Sequence, residues 1–341
     1  MTVLGASPAP EGTTSKASAA SLQRVQAPIR ERLDNVTGEM WRTVATDAPL
    51  VSQMSAHLMA MRGKMFRPTL VLLSSAVENR PDHSAITLAA AVELIHLATL
   101  VHDDAVDHSV LRRGMPTLNS LFSHQISVIM GDFLYSSALT RLVGVGNLEA
   151  LRVLTRASTE MTIGELRQLA VTSPLEFTEG DYFTLIRSKT ASLISAACEI
   201  GTLCGAAEHR ETLARFGEEL GMAFQITDDL IDYTEAASTT GKPTGIDLRE
   251  HKMTLPLIAA MRTMSATERR TVESLFAAEH PEDQEIAEVI RIVTANGGLD
   301  YAREAAARHA AEAAKTLDAL PDTVARAALF ESISYVMERH A

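Results

Sequence analysis

Two aspartate triplets with the same spacing constrain this chain most: Asp103, Asp104 and Asp107 in HDDAVDHS, and Asp228, Asp229 and Asp232 in TDDLIDYT. At about 100° per residue, the first and third Asp of each triplet fall one turn apart on one helix face, with the second a quarter-turn aside. Apolar stretches precede both, ELIHLATLV before the first and MAFQI before the second. Carboxylates so close in such surroundings repel unless a cation holds them. Hard oxygen ligands with room for water suit Mg²⁺, usually together with substrate phosphates. A lone DDxxD reads more simply as a solvated acidic patch. Two of them, about 125 residues apart, point to a shared metal and diphosphate site. The chain must then bring two distant helices face to face.

Composition agrees with helices. Of 341 residues, 46% are hydrophobic but only 4% aromatic, so the apolar content is largely Ala, Leu, Val, Ile and Met, a helix-favouring mixture. The intervals between Pro116, Pro174 and Pro243 contain no proline. They carry helical periodicity, with Ile126, Met130, Phe133 and Leu134 in one and Leu193, Ala196, Ala197 and Ile200 in the next. Asp47 and Ser265 precede apolar runs as candidate N-caps. Nothing resembles alternating strands, a glycine-rich dinucleotide turn or a solenoid repeat. The expectation is an all-α helical bundle around a central cavity, a known way to build a metal site. It is expected to form a single domain over residues 21–341, after a Ser-, Thr-, Ala- and Pro-rich segment over 1–20 expected to be disordered.

The net charge of −12 excludes nucleic acid as the main partner. Cys198 and Cys204 match no zinc pattern and read as buried thiols in a reducing, cytoplasmic setting. The N-terminus has neither the basic start nor the apolar core of a secretory signal. The window from Ala85 to Val101 is the most hydrophobic, but Glu93 and His96 interrupt it and Asp103 and Asp104 close it. It reads as a buried helix of a bundle and not as a membrane span.

The cations are local. Lys64 and Arg67 in RGKMFRP flank a loop before a helix expected to begin near Pro68, where unpaired amides add to the positive field. His96 lies two turns before Asp103 on nearly the same face, and a lone His there is more often a satisfied core residue than a ligand contact. Arg112 and Arg113 in LRRGMPT fall on a turn beside the first triplet. Adjacent arginines project in different directions and so suit two separate diphosphates. IRSKTAS offers Lys189 and Thr190 in an apolar helix, with no anionic partner nearby in sequence. Gln225 stands three residues before Asp228, and TGKPTGIDLREHKMTLP supplies Lys242, Asp247 and Lys252. Two acidic claws with this many cations imply two phosphorylated substrates, at least one of which loses diphosphate with metal help.

The succession GKMFRP, ELIHLATLVHDDAVDHSVLRRGMPT, MGDFL, IGELRQL, SKTASL, FQITDDLIDYT and GKPTGIDLREHKMTLPL resembles the trans-isoprenyl diphosphate synthases, or polyprenyl synthetases, from about residue 50 to the C-terminus. The resemblance implies an isoprenoid synthase-type helical bundle, a homodimer, and three Mg²⁺ held by Asp103, Asp104, Asp107, Asp228, Asp229 and Asp232. It further implies that Arg112, Lys189, Thr190, Gln225, Lys242 and Lys252 contact an allylic diphosphate, while Lys64, Arg67, His96 and Arg113 hold isopentenyl diphosphate. Two departures from the family pattern are Arg62 before the GK pair and His108 after the first triplet. Catalysis would stabilise charge on the departing diphosphate, which then serves as proton acceptor, inside apolar walls that exclude water.

In this family the residues five and four places before the first triplet gate the growing tail. Here they are the small Ala98 and Thr99, which implies a long all-trans polyprenyl diphosphate, with Phe133 or Leu134 as a candidate floor. The alternatives are a short-chain farnesyl or geranylgeranyl diphosphate synthase and a regulatory subunit of a heteromeric synthase. Such subunits tend to lack one or both claws, and both are intact here. A terpene cyclase fits neither the second triplet nor the GKMFR loop.

Overall fold

A computed structural model describes residues 13–61, 63–234 and 244–338. It is helical almost throughout. The helices are α1 (Thr13–Gln26), α2 (Arg30–Thr43), α3 (Pro49–Ala60), α4 (Phe66–Ser75), α5 (Ser84–Val106), α6 (Leu118–Leu121), α7 (His124–Val145), α8 (Leu148–Leu169), α9 (Glu179–Ile186), α10 (Ser192–Thr202), α11 (Arg210–Thr234), α12 (Ile246–Arg249), α13 (Leu255–Ala260), α14 (Ala266–Ala277), α15 (Asp283–Ala295), α16 (Gly298–Leu317) and α17 (Val324–Met337). One two-stranded hairpin, β1 (Leu111–Arg112) with β2 (Met115–Pro116), follows α5. Within the segment expected to be disordered, α1 begins at Thr13, and residues 1–12 lie outside the described residues.

The apolar side chains form two clusters that meet on α11. Leu213, Phe216 and Leu220 from its first half join a cluster built on α4, α5 and α10. Ile226, Leu230 and Tyr233 from its second half join one built on α13, α15 and α16. α11 lies close against α10, and glycine is required at the crossing: a Cβ at Gly217 would come within 2.7 Å of the Ser195 Cα, and one at Gly221 within 2.6 Å of the Ala191 Cα. Small residues here let two backbones approach without forcing side chains off their rotamers.

α5 is long and apolar enough to cross a membrane, yet it is largely buried inside the bundle, because apolar residues occupy nearly every face. α7 is of similar length and apolarity but far less covered. Ser265 caps α14 in a reciprocal capping box with Glu268. Asp47 does not cap α3, whose N-cap is Ala48 with Pro49 at the first helical position. α4 begins two residues before Pro68, which then sits in the first turn, where its missing N–H leaves no intrahelical bond unmade. Cys198 and Cys204 are free and buried.

Candidate active site

The first triplet ends a helix. The last turn of α5 closes with the Asp107 N–H on the Asp103 carbonyl at 2.8 Å, so these two residues stand one turn apart. Asp104, the middle member, is buried and accepts from the Arg112 Nε at 2.9 Å on both oxygens. The hairpin explains this pairing. Arg113 (φ 51°) and Gly114 (φ 73°) form its two-residue turn with left-handed backbone at both positions, which matches strand twist. Arg112 is thereby turned back onto Asp104, whereas Arg113 reaches the other way and donates from Nη1 to the Met61 carbonyl at 3.0 Å. The adjacent arginines diverge, as expected from their adjacency. Burial, then the nearby Glu165, pushes the Asp103 carboxyl up to about 6 against the opposing pull of Lys189 and Arg112.

The second triplet lies in the last turns of α11 and is tied to other segments. Asp229 accepts from the Tyr182 hydroxyl at 2.5 Å and from Gln225 Nε2 at 2.8 Å, and Thr190 donates to Gln225 Oε1 at 2.6 Å. Asp232 accepts the backbone amides of Ile246 and Asp247 at 3.0 and 2.9 Å, and its carbonyl accepts from the Gly245 N–H at 2.9 Å. Asp228 is exposed. Burial pushes Asp229 up to about 7; the two hydrogen bonds oppose this, and Asp228 and Asp232 add to it. Asp247 is half-buried, and desolvation followed by Asp229 and Asp232 raises it well above the usual carboxylate range.

Between these elements lies a cavity of about 580 Å³ whose walls include Asp107 of the first triplet, Asp229 of the second, and Lys189, Thr190, Gln225 and Lys252. A single π-helical turn at Arg187–Ala191 joins α9 to α10 and carries Lys189 and Thr190. Such turns are rare and frequent at functional sites. Lys189 has the anionic partner that its sequence neighbourhood lacks: Glu165, across the packed face of α8, at 2.5 Å, with Gln168 accepting at 3.1 Å. Lys252 pairs with Glu250 at 2.5 Å. The acidic groups supply oxygen donors only, and Asp103 and Asp229 are both carboxylates whose burial opposes ionisation, so the residues fit a hard divalent cation such as Mg²⁺.

The remaining cations lie on the loop before α4, on α4 itself and on the hairpin turn. Lys64 lies 5.6 Å from the centre of the Tyr335 ring, and Arg67 is in the first turn of α4. His96 is held well below its usual range by burial and then by Arg67, Arg113 and Arg112. It therefore offers a neutral imidazole, able to donate one hydrogen bond but no charge. Ala98 is buried. Thr99 is half-buried with its hydroxyl folded onto the His96 carbonyl at 2.8 Å. Lys242 and Arg62 lie outside the described residues. His108 adopts a left-handed backbone (φ 51°), its ring 5.6 Å from that of His124.

Tyr182, Glu165 and Gln168 belong to these networks but were not singled out as site residues from sequence. Glu165 and Gln168 sit in IGELRQL, a motif that carries no visible chemistry until Lys189 packs on it. Tyr182 has no sequence signal, because its partner Asp229 lies 47 residues away.

The Polyprenyl synthetase family model matches residues 48–293. The chain is 37% identical over 320 residues to an all-trans-nonaprenyl-diphosphate synthase (geranyl-diphosphate specific) of Rhodobacter capsulatus, covering 93% of this chain and 98% of that protein. Its fold is similar to the crystal structure of a decaprenyl diphosphate synthase from the same organism, with a TM-score of 0.89 at 35% identity, covering 94% of this chain and 99% of that one. It is equally similar, with a TM-score of 0.89 at 31% identity over 98% and 100% of the two chains, to a polyprenyl synthase from Caulobacter crescentus CB15 complexed with calcium and isoprenyl diphosphate. With paired triplets opening on one cavity and likeness of this extent, the chain belongs to the polyprenyl synthetase family and is a prenyltransferase.

Proposed function

We propose that the protein condenses isopentenyl diphosphate with an allylic diphosphate to make a long-chain all-trans polyprenyl diphosphate. The observation that carries this reading is the cavity whose walls bring together Asp107 and Asp229, one from each triplet, with Lys189 and Lys252. Arg112, Lys189, Thr190, Gln225, Lys242 and Lys252 hold the allylic diphosphate, and Lys64, Arg67, His96 and Arg113 hold isopentenyl diphosphate. Three Mg²⁺, held by Asp103, Asp104, Asp107, Asp228, Asp229 and Asp232, would supply the charge that stabilises the leaving diphosphate.

The side chains contribute orientation. Glu165 and Gln168 fix the Lys189 ammonium, so little reorganisation is needed as charge builds on the leaving group. Tyr182 and Gln225 orient Asp229, and Arg112 orients the hairpin on Asp104. No histidine or other base is needed at the new double bond, since the departing diphosphate accepts the proton. The relatives' named products and the small residues at 98 and 99 support a long product.

The exposed apolar residues of α7, Ile129 at 66% and Val143 at 62%, suit burial against a second copy of the chain, and a homodimer is part of this reading. Purified protein incubated with Mg²⁺, labelled isopentenyl diphosphate and farnesyl or geranylgeranyl diphosphate is expected to give products longer than C20 after dephosphorylation. A product stopping at C15 or C20 would overturn the chain-length assignment, and no condensation at all would overturn the reaction.

A further inference from the structure

The residues on either side of Asp103 leave α5 in nearly opposite directions. At about 100° per residue, His102 and Asp104 project roughly a quarter-turn to each side of Asp103, and Asp107, one turn on, lies between the same two directions. Asp104 is tied to the hairpin by Arg112. His102 is tied to α7, with its Nε2 3.1 Å from the Val128 carbonyl oxygen and 3.3 Å from the Asp132 carboxylate. A backbone carbonyl can only accept, so Nε2 carries the hydrogen and the imidazole donates. The Asp132 side chain is 69% exposed, and a pair so open to solvent contributes little, which leaves the backbone carbonyl as the main tie. Gly131 makes the approach possible. A Cβ there would come within 2.3 Å of Nε2, and the three atoms nearest to it would all belong to this ring.

We infer that His102 is a positioning residue for Asp103 and Asp107, fixing the rotation of the last turn of α5 so that both carboxylates meet a divalent cation already oriented. The inference rests on the reading of the triplets as the metal site. Packing of α5 on α7 does not need the imidazole, because one apolar cluster that includes Leu97, Val101, Met130 and Leu134 joins the two helices. The end of α5 is different, since a last turn has fewer intrahelical bonds and frays unless something outside fixes it. One tie, at Asp104, leaves that turn able to pivot. A second tie on the far side of Asp103 removes the pivot, and partners of this kind, outside a metal's own ligands, tune its affinity by orienting them.

The test uses the full-length protein and reads metal binding directly, by calorimetric titration of Mg²⁺ in the presence of pyrophosphate, beside steady-state kinetics. His102→Leu removes the donor at comparable size and is expected to weaken Mg²⁺ binding roughly tenfold or more, and to raise the Mg²⁺ concentration for half-maximal rate by the same factor. The KM for isopentenyl diphosphate at saturating Mg²⁺ is expected to stay within about twofold. His102→Gln returns an amide donor at the reach of Nε2 and is expected to recover binding to within about threefold of the parent. Gly131→Ala pushes the ring away and is expected to match His102→Leu, and the double variant to be no worse than either alone, because both changes break one tie. Gly131→Ala carries the test if the leucine variant does not fold. Parent-like Mg²⁺ binding in His102→Leu, or a glutamine variant no better than the leucine, overturns the inference. So does a lowered melting temperature with Mg²⁺ binding unchanged, which would show a packing role only. A parent protein that binds no Mg²⁺ with pyrophosphate would instead overturn the metal-site reading and the inference with it.

Discussion

The two aspartate triplets share one spacing and face one cavity, yet they are held in opposite ways. The first closes a helix, with its middle carboxylate matched to Arg112 and its outer pair, Asp103 and Asp107, left at the helix end among charges of both signs. In the second, the middle carboxylate is fixed by Tyr182 and Gln225, and the last is occupied by the amides that begin α12. Equal spacing in sequence therefore does not mean equal work. The first triplet is arranged chiefly toward what enters the cavity. The second also fastens the segment after α11, which brings Asp247 and Lys252 to the wall.

The largest effect that tests this contrast is on turnover. Asp103→Asn is expected to lower kcat by about a hundredfold or more, since a preorganised charge in an excluded site contributes on that scale. It should leave the melting temperature of the metal-free protein unchanged or higher, because it removes a half-buried carboxylate whose ionised form is opposed by desolvation and by Glu165 and Asp107 more than Lys189 and Arg112 favour it. Asp229→Asn should also lower kcat but reduce stability, since the Tyr182 hydroxyl and the Gln225 amide would face an amide in place of a full acceptor. Equal losses of melting temperature in the two variants would break the comparison.

Stability alone separates the triplets next. Tyr182→Phe removes the hydroxyl donor from the buried Asp229, and leaving that carboxylate one bond short is expected to cost about 1–3 kcal/mol. Differential scanning calorimetry without metal is the measurement, and a melting temperature within one degree of the parent would show that the second triplet is not fastened as described.

The pH response follows from the same groups. Asp103 at about 6 and Asp229 at about 7 are both raised in the folded protein above the ordinary aspartate value of 3.8. The folded state then keeps protons that the unfolded chain has released. Their contribution to stability is full below pH about 4 and is lost as pH rises through 6 to 7, by up to about 1.4 kcal/mol per pH unit for each group. In EDTA, the melting temperature of the parent relative to Asp103→Asn should fall with rising pH up to about 6, and relative to Asp229→Asn up to about 7. If these carboxylates hold Mg²⁺ with pyrophosphate as proposed, binding requires the ionised, folded form, so the stabilisation they give should grow over the same range. pH-independent differences would show that neither carboxylate carries the burial penalty.

Much of this was legible in the sequence because its signals are local. Triplet spacing, proline placement and apolar periodicity all act within one helix, and they led to an all-α bundle with a cavity. What was not legible depends on contacts between elements. Glu165 and Gln168 gain meaning only when α8 packs on the π turn that carries Lys189. The hairpin rests on two left-handed residues, only one of them glycine, and so read as a simple turn. Asp47 satisfied the rule for an N-cap, but Pro49 set the start of α3 one residue later than that cap requires.

The smallest expected effect on rate is at the gate, and it uses the same comparison one step further along. Five and four residues before Asp103 stand Ala98 and Thr99; five and four before Asp228 stand Ala223 and Phe224. On α11 the fourth position is thus already aromatic, its ring stacked 5.8 Å from Phe66 at 18°. A tail running along α5 meets small residues, whereas one running along α11 would meet that stack. Thr99→Phe is expected to shorten the product while changing the rate of the first condensation by no more than about twofold, because it leaves every diphosphate contact in place. Ala98 is 1% exposed, and a ring there would overpack the core at about 1–3 kcal/mol, so Thr99 is the cleaner position. Phe224→Ala should leave product length unchanged and cost up to about 3 kcal/mol of stability through the lost stack. Chromatography of dephosphorylated products beside a thermal melt reads both variants. If Phe224→Ala lengthens the product and Thr99→Phe does not alter it, the tail follows α11, and the small residues on α5 no longer argue for a long chain.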